Sequence, residues 1–288
     1  MKGYEGFETL RVQVVNRVAW VTIDHPPVNL FDLAMFLDLA RLVPLLEADD
    51  GVGAVVFRSA DRDFFVAHAD VAWILQLPAE KPPRPTEPGP FVALMERLRK
   101  LPKATIGMVD GIARGGGSEL LMSLDMRFAG RTRTRLAQPE VALGIIPGGS
   151  GTQRLARLVG RGRALEIVLG CGDLDADEAA AIGWVNRALA DDDLLPFVTA
   201  LAERIASMSP EAVRLAKLAV DAAGPDPVPG LLEEQDLFNA TVASADARAR
   251  MQRFLDMGGQ TREVELGLGS LMAELGQFPD PKAGDVDP

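Results

Sequence analysis

The chain of 288 residues contains one cysteine, Cys171, and two histidines, His25 and His68. A lone thiol excludes an internal disulfide and fits a reducing compartment. So few Cys and His side chains argue against a zinc site built from them, and no metal is expected. Positive charge is also short: 30 Lys and Arg stand against 41 Asp and Glu, a net charge of −11. Such a surface disfavours nucleic acid and anionic lipid as partners. No apolar run is long enough for a signal peptide or a membrane span, so a cytoplasmic protein is expected. GxGxxG, GxxxxGK[ST] and GxSxG are all missing, which leaves dinucleotide, nucleotide-triphosphate and nucleophile-elbow hydrolase readings unsupported.

What is there is enough apolar sequence for one sizeable core, or a core with a smaller helical appendage. Short runs at Leu10–Val15, Val18–Ile23, Ala54–Phe57, Thr105–Val109 and Met126–Ala129 read as strands. Between two of them, Leu33–Glu47 carries apolar residues near the helical period. Strands separated by helices favour an α/β architecture joined by crossovers. After about Asp191 the pattern turns helical, over Leu194–Met208, Pro210–Ala222, Leu231–Val242 and Asp246–Met257. The expected division is an α/β core over 1–192, an all-helical section over 193–260 and a divergent, partly disordered tail over 261–288. Pro78–Pro90 is dense in proline and must be a loop, either a lid or a surface excursion. The tail from Phe278 has the composition of a disordered end.

Three segments carry chemistry. In Gly111–Glu119 (GIARGGGSE), three consecutive glycines sit where a helix begins. Glycine there permits close backbone approach, and the free amides of a helix start suit an anion or a developing oxyanion. With Gly116 in the first turn, Glu119 lies on the same face, about 4.5 Å along the axis, and leans back toward those amides. A glycine-rich turn with a dipole-stabilising Glu is the alternative. In Ala137–Glu140 (AQPE), Pro139 holds Gln138 extended and places Glu140 at a strand-to-loop junction with apolar residues behind it. Such a carboxyl can be tuned for acid/base work, although a turn Glu at the surface reads the same way. Ser150 or Thr152 could cap the helix that follows. In Phe64–Asp70 (FFVAHAD), Asp70 could cap a helix over Val71–Leu77, and the Ala69 amide could be a second oxyanion donor. His68 reads as structural or pocket-lining in preference to catalytic.

In this order, spanning about Leu10 to Leu255, the segments resemble the crotonase superfamily and in particular the enoyl-CoA hydratases. Ala67-His68-Ala69-Asp70 stands where the family has A-G-A-D, and Gly115 to Glu119 where it has G-G-G-C-E. Gln138-Pro139-Glu140 and the string Ile146 to Leu155 match its Q-P-E and I-P-G-x-x-G-T-Q-R-L. The resemblance implies a crotonase-like spiral of ββα turns with C-terminal helices that pack a homotrimer or a dimer of trimers. It implies a coenzyme A thioester as substrate and no tightly bound cofactor. Glu119 and Glu140 would be catalytic, and the Ala69 and Gly116 amides would form the oxyanion hole. Ala67, His68, Asp70, Val71, Gly115 and Gly148 would bind substrate.

The implied activity is syn hydration of a 2-enoyl-CoA, Glu119 activating water and Glu140 protonating Cα, with these roles exchangeable. A Δ3,Δ2-enoyl-CoA isomerase or other crotonase reaction is the alternative, and a non-catalytic acyl-CoA-binding protein is the alternative from another class. Departures from the family pattern are His68 for glycine, Ala72 for a frequent lysine, Arg114 for an apolar residue, and Gly258–Glu263 for a basic C-terminal end. Arg131, Arg133, Arg135, Arg154, Arg157, Arg161 and Arg163 are the candidates for coenzyme phosphates, or else a solvated face.

Overall fold

The computed structural model describes residues 3–275. Its strands are β1 (Leu10–Val15), β2 (Val18–Ile23), β3 (Ala54–Ser59), β4 (Phe64–Val66), β5 (Ala104–Val109), β6 (Ile112–Arg114), β7 (Met126–Gly130), β8 (Arg135–Ala137), β9 (Leu174–Asp175) and β10 (Arg187–Leu189). The body helices are α1 (Leu33–Ala48), α2 (Val71–Ile74), α3 (Pro90–Arg99), α4 (Gly116–Met122), α5 (Gly151–Gly170) and α6 (Ala176–Ala181). Toward the C-terminus follow α7 (Asp191–Ala206), α8 (Pro210–Asp221), α9 (Val228–Val242), α10 (Ala245–Asp256), α11 (Arg262–Leu266) and α12 (Leu268–Leu275). A 3-10 turn spans Glu140–Leu143.

One sheet runs in the order β1-β2-β3-β5-β7-β10 and a smaller one in the order β4-β6-β8-β9. Three successive units share one logic: β3, β5 and β7 enter the large sheet, β4, β6 and β8 enter the small one, and a helix or turn follows. This is the ββα spiral of a crotonase fold. The chain starts it with a hairpin whose two-residue turn, Asn16 and Arg17, has φ of 50° and 63°. Left-handed geometry at both central residues matches the twist of the flanking strands. The inner strands β2 and β3 pair in parallel and are apolar on both faces, as a covered sheet requires.

Side-chain parity sorts these strands between two cores. Val18, Trp20, Ala54 and Val56 face α7, through Leu194, Val198, Ala202 and Ala206. Ala19, Val21, Val55 and Phe57 face the central core with α1 and α4. A further core joins Val71, Leu143 and Ile145 to Val242, Met251, Phe254, Leu268 and Leu271. Each fully buried side chain of that size contributes about 1.5–3 kcal/mol, so this cluster anchors the C-terminal helices over the end of the body. Within 193–260, then, α9 and α10 close on their own chain, while α8 buries no residue. The expected tail from Phe278 lies outside the described residues.

The proline-dense loop is tied down. Lys81 Nζ donates to Asp236 at 2.7 Å, Arg84 pairs with Glu233, and the Gly89 amide donates to Gln235 Oε1 at 2.9 Å, all on α9.

Candidate active site

Gly115, at φ +44°, turns the chain from β6 into α4. The Glu119 amide then donates to the Gly115 carbonyl at 2.9 Å, which sets Glu119 in the first helical turn. Its side chain points inward, and the residue is 3% exposed. Glu119 Oε1 accepts the Gly149 and Gly151 amides at 2.8 and 2.7 Å. Glu140 opens the 3-10 turn just past β8. With its amide nitrogen facing the carboxylate, Gln138 donates to Glu140 Oε2 at 3.1 Å and Oε1 at 3.2 Å.

The Ala69 and Gly116 backbones nearly touch. A Cβ at residue 116 would lie 3.2 Å from the Ala69 nitrogen and 3.0 Å from the Ala69 Cβ, so only glycine leaves the space before both amides open. Neither amide donates to an acceptor among the described residues. Ala69 is fixed by its neighbours: the Phe31 amide donates to the His68 carbonyl at 2.9 Å, and the Asp70 amide donates to the Phe31 carbonyl at 3.0 Å.

A cavity of about 390 Å³ brings Ala69, Gly116, Gly148, Glu119 and Glu140 together, under walls of Phe36, Trp73, Leu77, Phe91 and Phe238. Phe91 packs edge-on against Phe31, with ring centroids 4.8 Å apart. Other residues singled out from the sequence lie elsewhere. Ala67 is fully buried behind the loop, and its carbonyl accepts the Arg114 amide at 3.1 Å. Asp70 caps α2, accepting the Ala72 amide at 2.9 Å, and is turned away from the cavity. His68 and Val71 line an adjoining chamber of about 30 Å³ that shares Ala69, Ile74, Glu140 and Ile145 with the large one. Gly115 sits beneath Glu140, where a Cβ would come within 2.6 Å of Glu140 Oε1.

Burial, then the Glu234 charge, push the Glu119 carboxyl up to about 8, against the pull of the two amides and of Arg154. Burial, then the Glu119 charge, hold Glu140 well above the usual carboxylate range. The two form one coupled acid/base pair that keeps a proton at neutral pH.

Glu234, on α9, is a further buried carboxylate that sequence reasoning missed. It is 1% exposed and accepts the Ser150, Thr152 and Gln153 amides at 2.6, 2.8 and 3.2 Å, with the Thr152 hydroxyl as a further donor. Burial raises its carboxyl despite these bonds. The expected cap of α5 by Ser150 or Thr152 is therefore replaced by a carboxylate from a distant helix. Ser150 instead accepts from Arg154 Nε at 2.6 Å, and Arg154 Nη2 donates to Glu96 Oε1 at 2.6 Å. One signal was available: Leu231, Glu234, Phe238 and Val242 share a helical stripe, and an acid on an apolar stripe points inward.

The arginines proposed for the coenzyme are mostly engaged locally. Arg131 pairs with Asp177, Arg133 with Asp110 and Asp191, and Arg163 with Glu166. Arg135 and Arg157 donate to backbone carbonyls, and none of the seven lines the cavity. Among the described residues no three His, Cys, Asp or Glu side chains are placed to hold a metal ion. No helix among them is long and apolar enough to cross a membrane.

The enoyl-CoA hydratase/isomerase family model matches residues 13–261, and the chain belongs to that enzyme family, within the crotonase superfamily. It is 34% identical over 246 residues to the short-chain-enoyl-CoA hydratase of Clostridium acetobutylicum, covering 83% of this chain and 92% of that one. With the crotonyl-CoA hydratase of Syntrophomonas wolfei it shares 34% identity over 256 residues, covering 87% and 96%. Among solved structures, a Streptomyces avermitilis protein provisionally assigned as an enoyl-CoA hydratase superposes with a TM-score of 0.86 at 38% identity, covering 95% of this chain and all of the other.

Proposed function

We propose that the protein hydrates a 2-enoyl-CoA thioester. The observation that carries this reading is one cavity holding a buried carboxyl, Glu119, and a half-buried one, Glu140, both with raised proton affinity, beside two backbone amides that have no acceptor among the described residues. The thioester oxygen accepts from the Ala69 and Gly116 amides, which stabilise the charge that develops as the enolate forms. Glu119 receives two backbone N–H bonds that offset part of its burial, so of the two carboxyls it is the base, acting in the fraction that has lost its proton. It takes a proton from water while the water oxygen bonds to Cβ. Glu140 has no backbone donor from another residue and keeps its proton, which it delivers to Cα. Product then carries H at Cα and OH at Cβ, and the proton left on Glu119 returns to Glu140 through solvent. The apolar walls suit a hydrocarbon acyl chain. Two carboxyls poised differently favour hydration over a one-base isomerisation.

The same reading makes the protein a homotrimer or dimer of trimers through its helical section 193–260. Support comes from α8, which exposes Leu215, Leu218 and Val220. Light scattering at a trimer or hexamer mass is expected, and a monodisperse monomer would remove this part.

The test follows the loss of conjugated enoyl-thioester absorbance from crotonyl-CoA. Conversion to 3-hydroxybutyryl-CoA is expected, with Glu119→Gln and Glu140→Gln each reducing turnover about 10²–10⁴-fold. Conversion that survives both substitutions would refute the mechanism. A protein that binds crotonyl-CoA and leaves it unchanged would refute hydration of this acyl group.

A further inference from the structure

Two of the departures from the family pattern, His68 and Arg114, converge on one residue near the C-terminal end. His68 Nε2 lies 2.9 Å from Glu265 Oε1, and His68 Nδ1 lies 2.8 Å from the Ala69 carbonyl oxygen. The Ala69 carbonyl only accepts, so Nδ1 carries a proton, and with Glu265 ionised Nε2 carries one too, which makes the buried ring an imidazolium. The Glu265 charge holds its pKa up against burial. Glu265 is 0% exposed. Its Oε1 also accepts the Gln260 amide at 2.9 Å, and its Oε2 lies 3.8 Å from Arg114 Nη1. Arg114 donates to the Glu265 carbonyl at 2.9 Å and is itself gripped by Asp173 through two bonds of 2.7 Å.

The same strap, residues 258–266, holds the other flank of Ala69. Gln260 Oε1 accepts the Val71 amide at 2.7 Å, and Gln260 Nε2 donates to Asp70 Oδ1 at 2.9 Å. Other groups facing His68 are the Phe254 ring of α10, edge-on at 5.7 Å, and Glu140, which lines the same small chamber.

We propose that Glu265 is a positioning residue of the oxyanion hole: by gripping His68 it fixes the aim of the Ala69 amide, so the C-terminal strap belongs to the catalytic apparatus without touching substrate. This rests on the reading that the Ala69 amide receives the thioester oxygen. A donor in such a hole is worth about 10²–10³ in kcat, and a loosened donor forfeits part of that. The effect falls on kcat because the bond strengthens only as negative charge builds on the oxygen.

The full-length enzyme is compared with Glu265→Ala, Glu265→Gln, His68→Gly and the double variant H68G/E265A. Two readouts are used: kcat and KM for crotonyl-CoA, and the red shift of a bound push–pull arylacrylyl-CoA, whose absorbance reports carbonyl polarisation. Glu265→Ala is expected to lower kcat roughly 10–100-fold with KM within about threefold, and to shrink the red shift. In the His68→Gly background the same change is expected to do no further harm, because Glu265 acts through His68. Unchanged kcat and red shift in Glu265→Ala would overturn the proposal, as would an equal loss with and without His68. Should Glu265→Ala fail to fold, Glu265→Gln, which keeps the shape and removes the charge, carries the same comparison. A parent enzyme that gives no red shift would instead overturn the oxyanion-hole reading, and this proposal with it.

Discussion

A methyl group added at residue 151 tests how tightly the Glu119 carboxylate must be held. The Gly151 amide donates to Glu119 Oε1 at 2.7 Å. A Cβ there would lie 2.7 Å from that same oxygen, 2.6 Å from Pro147 Cβ and 3.1 Å from the Gln138 side-chain amide, where ordinary contact begins at 3.4 Å. The surrounding loop cannot slide, because Gly149, Ser150, Thr152 and Gln153 all donate their amides to buried carboxylates. The carboxylate must therefore give, by on the order of 0.5–1 Å, and a misplacement of ~1 Å can cost about 10²-fold in rate. We expect Gly151→Ala to lose about 10–100-fold in kcat on crotonyl-CoA with little change in KM. Overpacking costs about 1–3 kcal/mol, offset by about 0.4–1 kcal/mol from the stiffer unfolded chain. At about 2–4 °C per kcal/mol, Tm falls by a few degrees. Gly162→Ala, just past the break in α5 at Gly160 (φ 78°), is the control, since a Cβ there meets nothing within 4 Å. A Gly151→Ala enzyme that melts cooperatively and stays within about twofold of parental kcat would refute this account of Glu119.

Glu234→Gln should move the acidic limb of the activity profile to lower pH, because the Glu234 charge helps hold Glu119 up. The same variant turns an amide nitrogen toward donors and should lose about 1.5–3 kcal/mol, read as a lower Tm. An unmoved limb would exclude Glu234 from tuning the pair. Glu119→Gln should exchange activity for stability. The parent's Glu119, near 8 in the fold, binds a proton that the unfolded chain releases above its ordinary carboxylate range. Parental stability therefore falls as pH rises from about 4.5 to 8, at about 1.4 kcal/mol per pH unit from this group. The Tm advantage of Glu119→Gln should grow across that window and level off beyond it, and a constant difference at pH 5 and pH 8.5 would refute the assignment.

Local pattern made much of the site legible, and long-range contact supplied the rest. The glycine tract and a helix start were enough to place Glu119, because one helical turn relates it to Gly116. Pro139 was enough to bring Glu140 to the end of a strand. The caps read from sequence divide along the same line. Asp70 reaches the Ala72 amide two residues away, whereas the α5 start is capped by Glu234, 82 to 84 residues distant. His68 was read as structural or pocket-lining, but its partner lies 197 residues on and no spacing rule connects them. Most of the arginines offered for a phosphate patch pair with acids close at hand in the fold, which their clustering in the sequence did not show.

The loop 149–153 divides its amides between Glu119 from the body and Glu234 from α9, and the Ala69 loop is gripped by Glu265 from α11. A chain cut short at residue 225 would carry Glu119, Glu140 and Gln138, but neither Glu234 nor Glu265. A cut between α8 and α9 would place the side chains that hold the 149–153 loop and the Ala69 loop on one fragment and every strand of both sheets on the other.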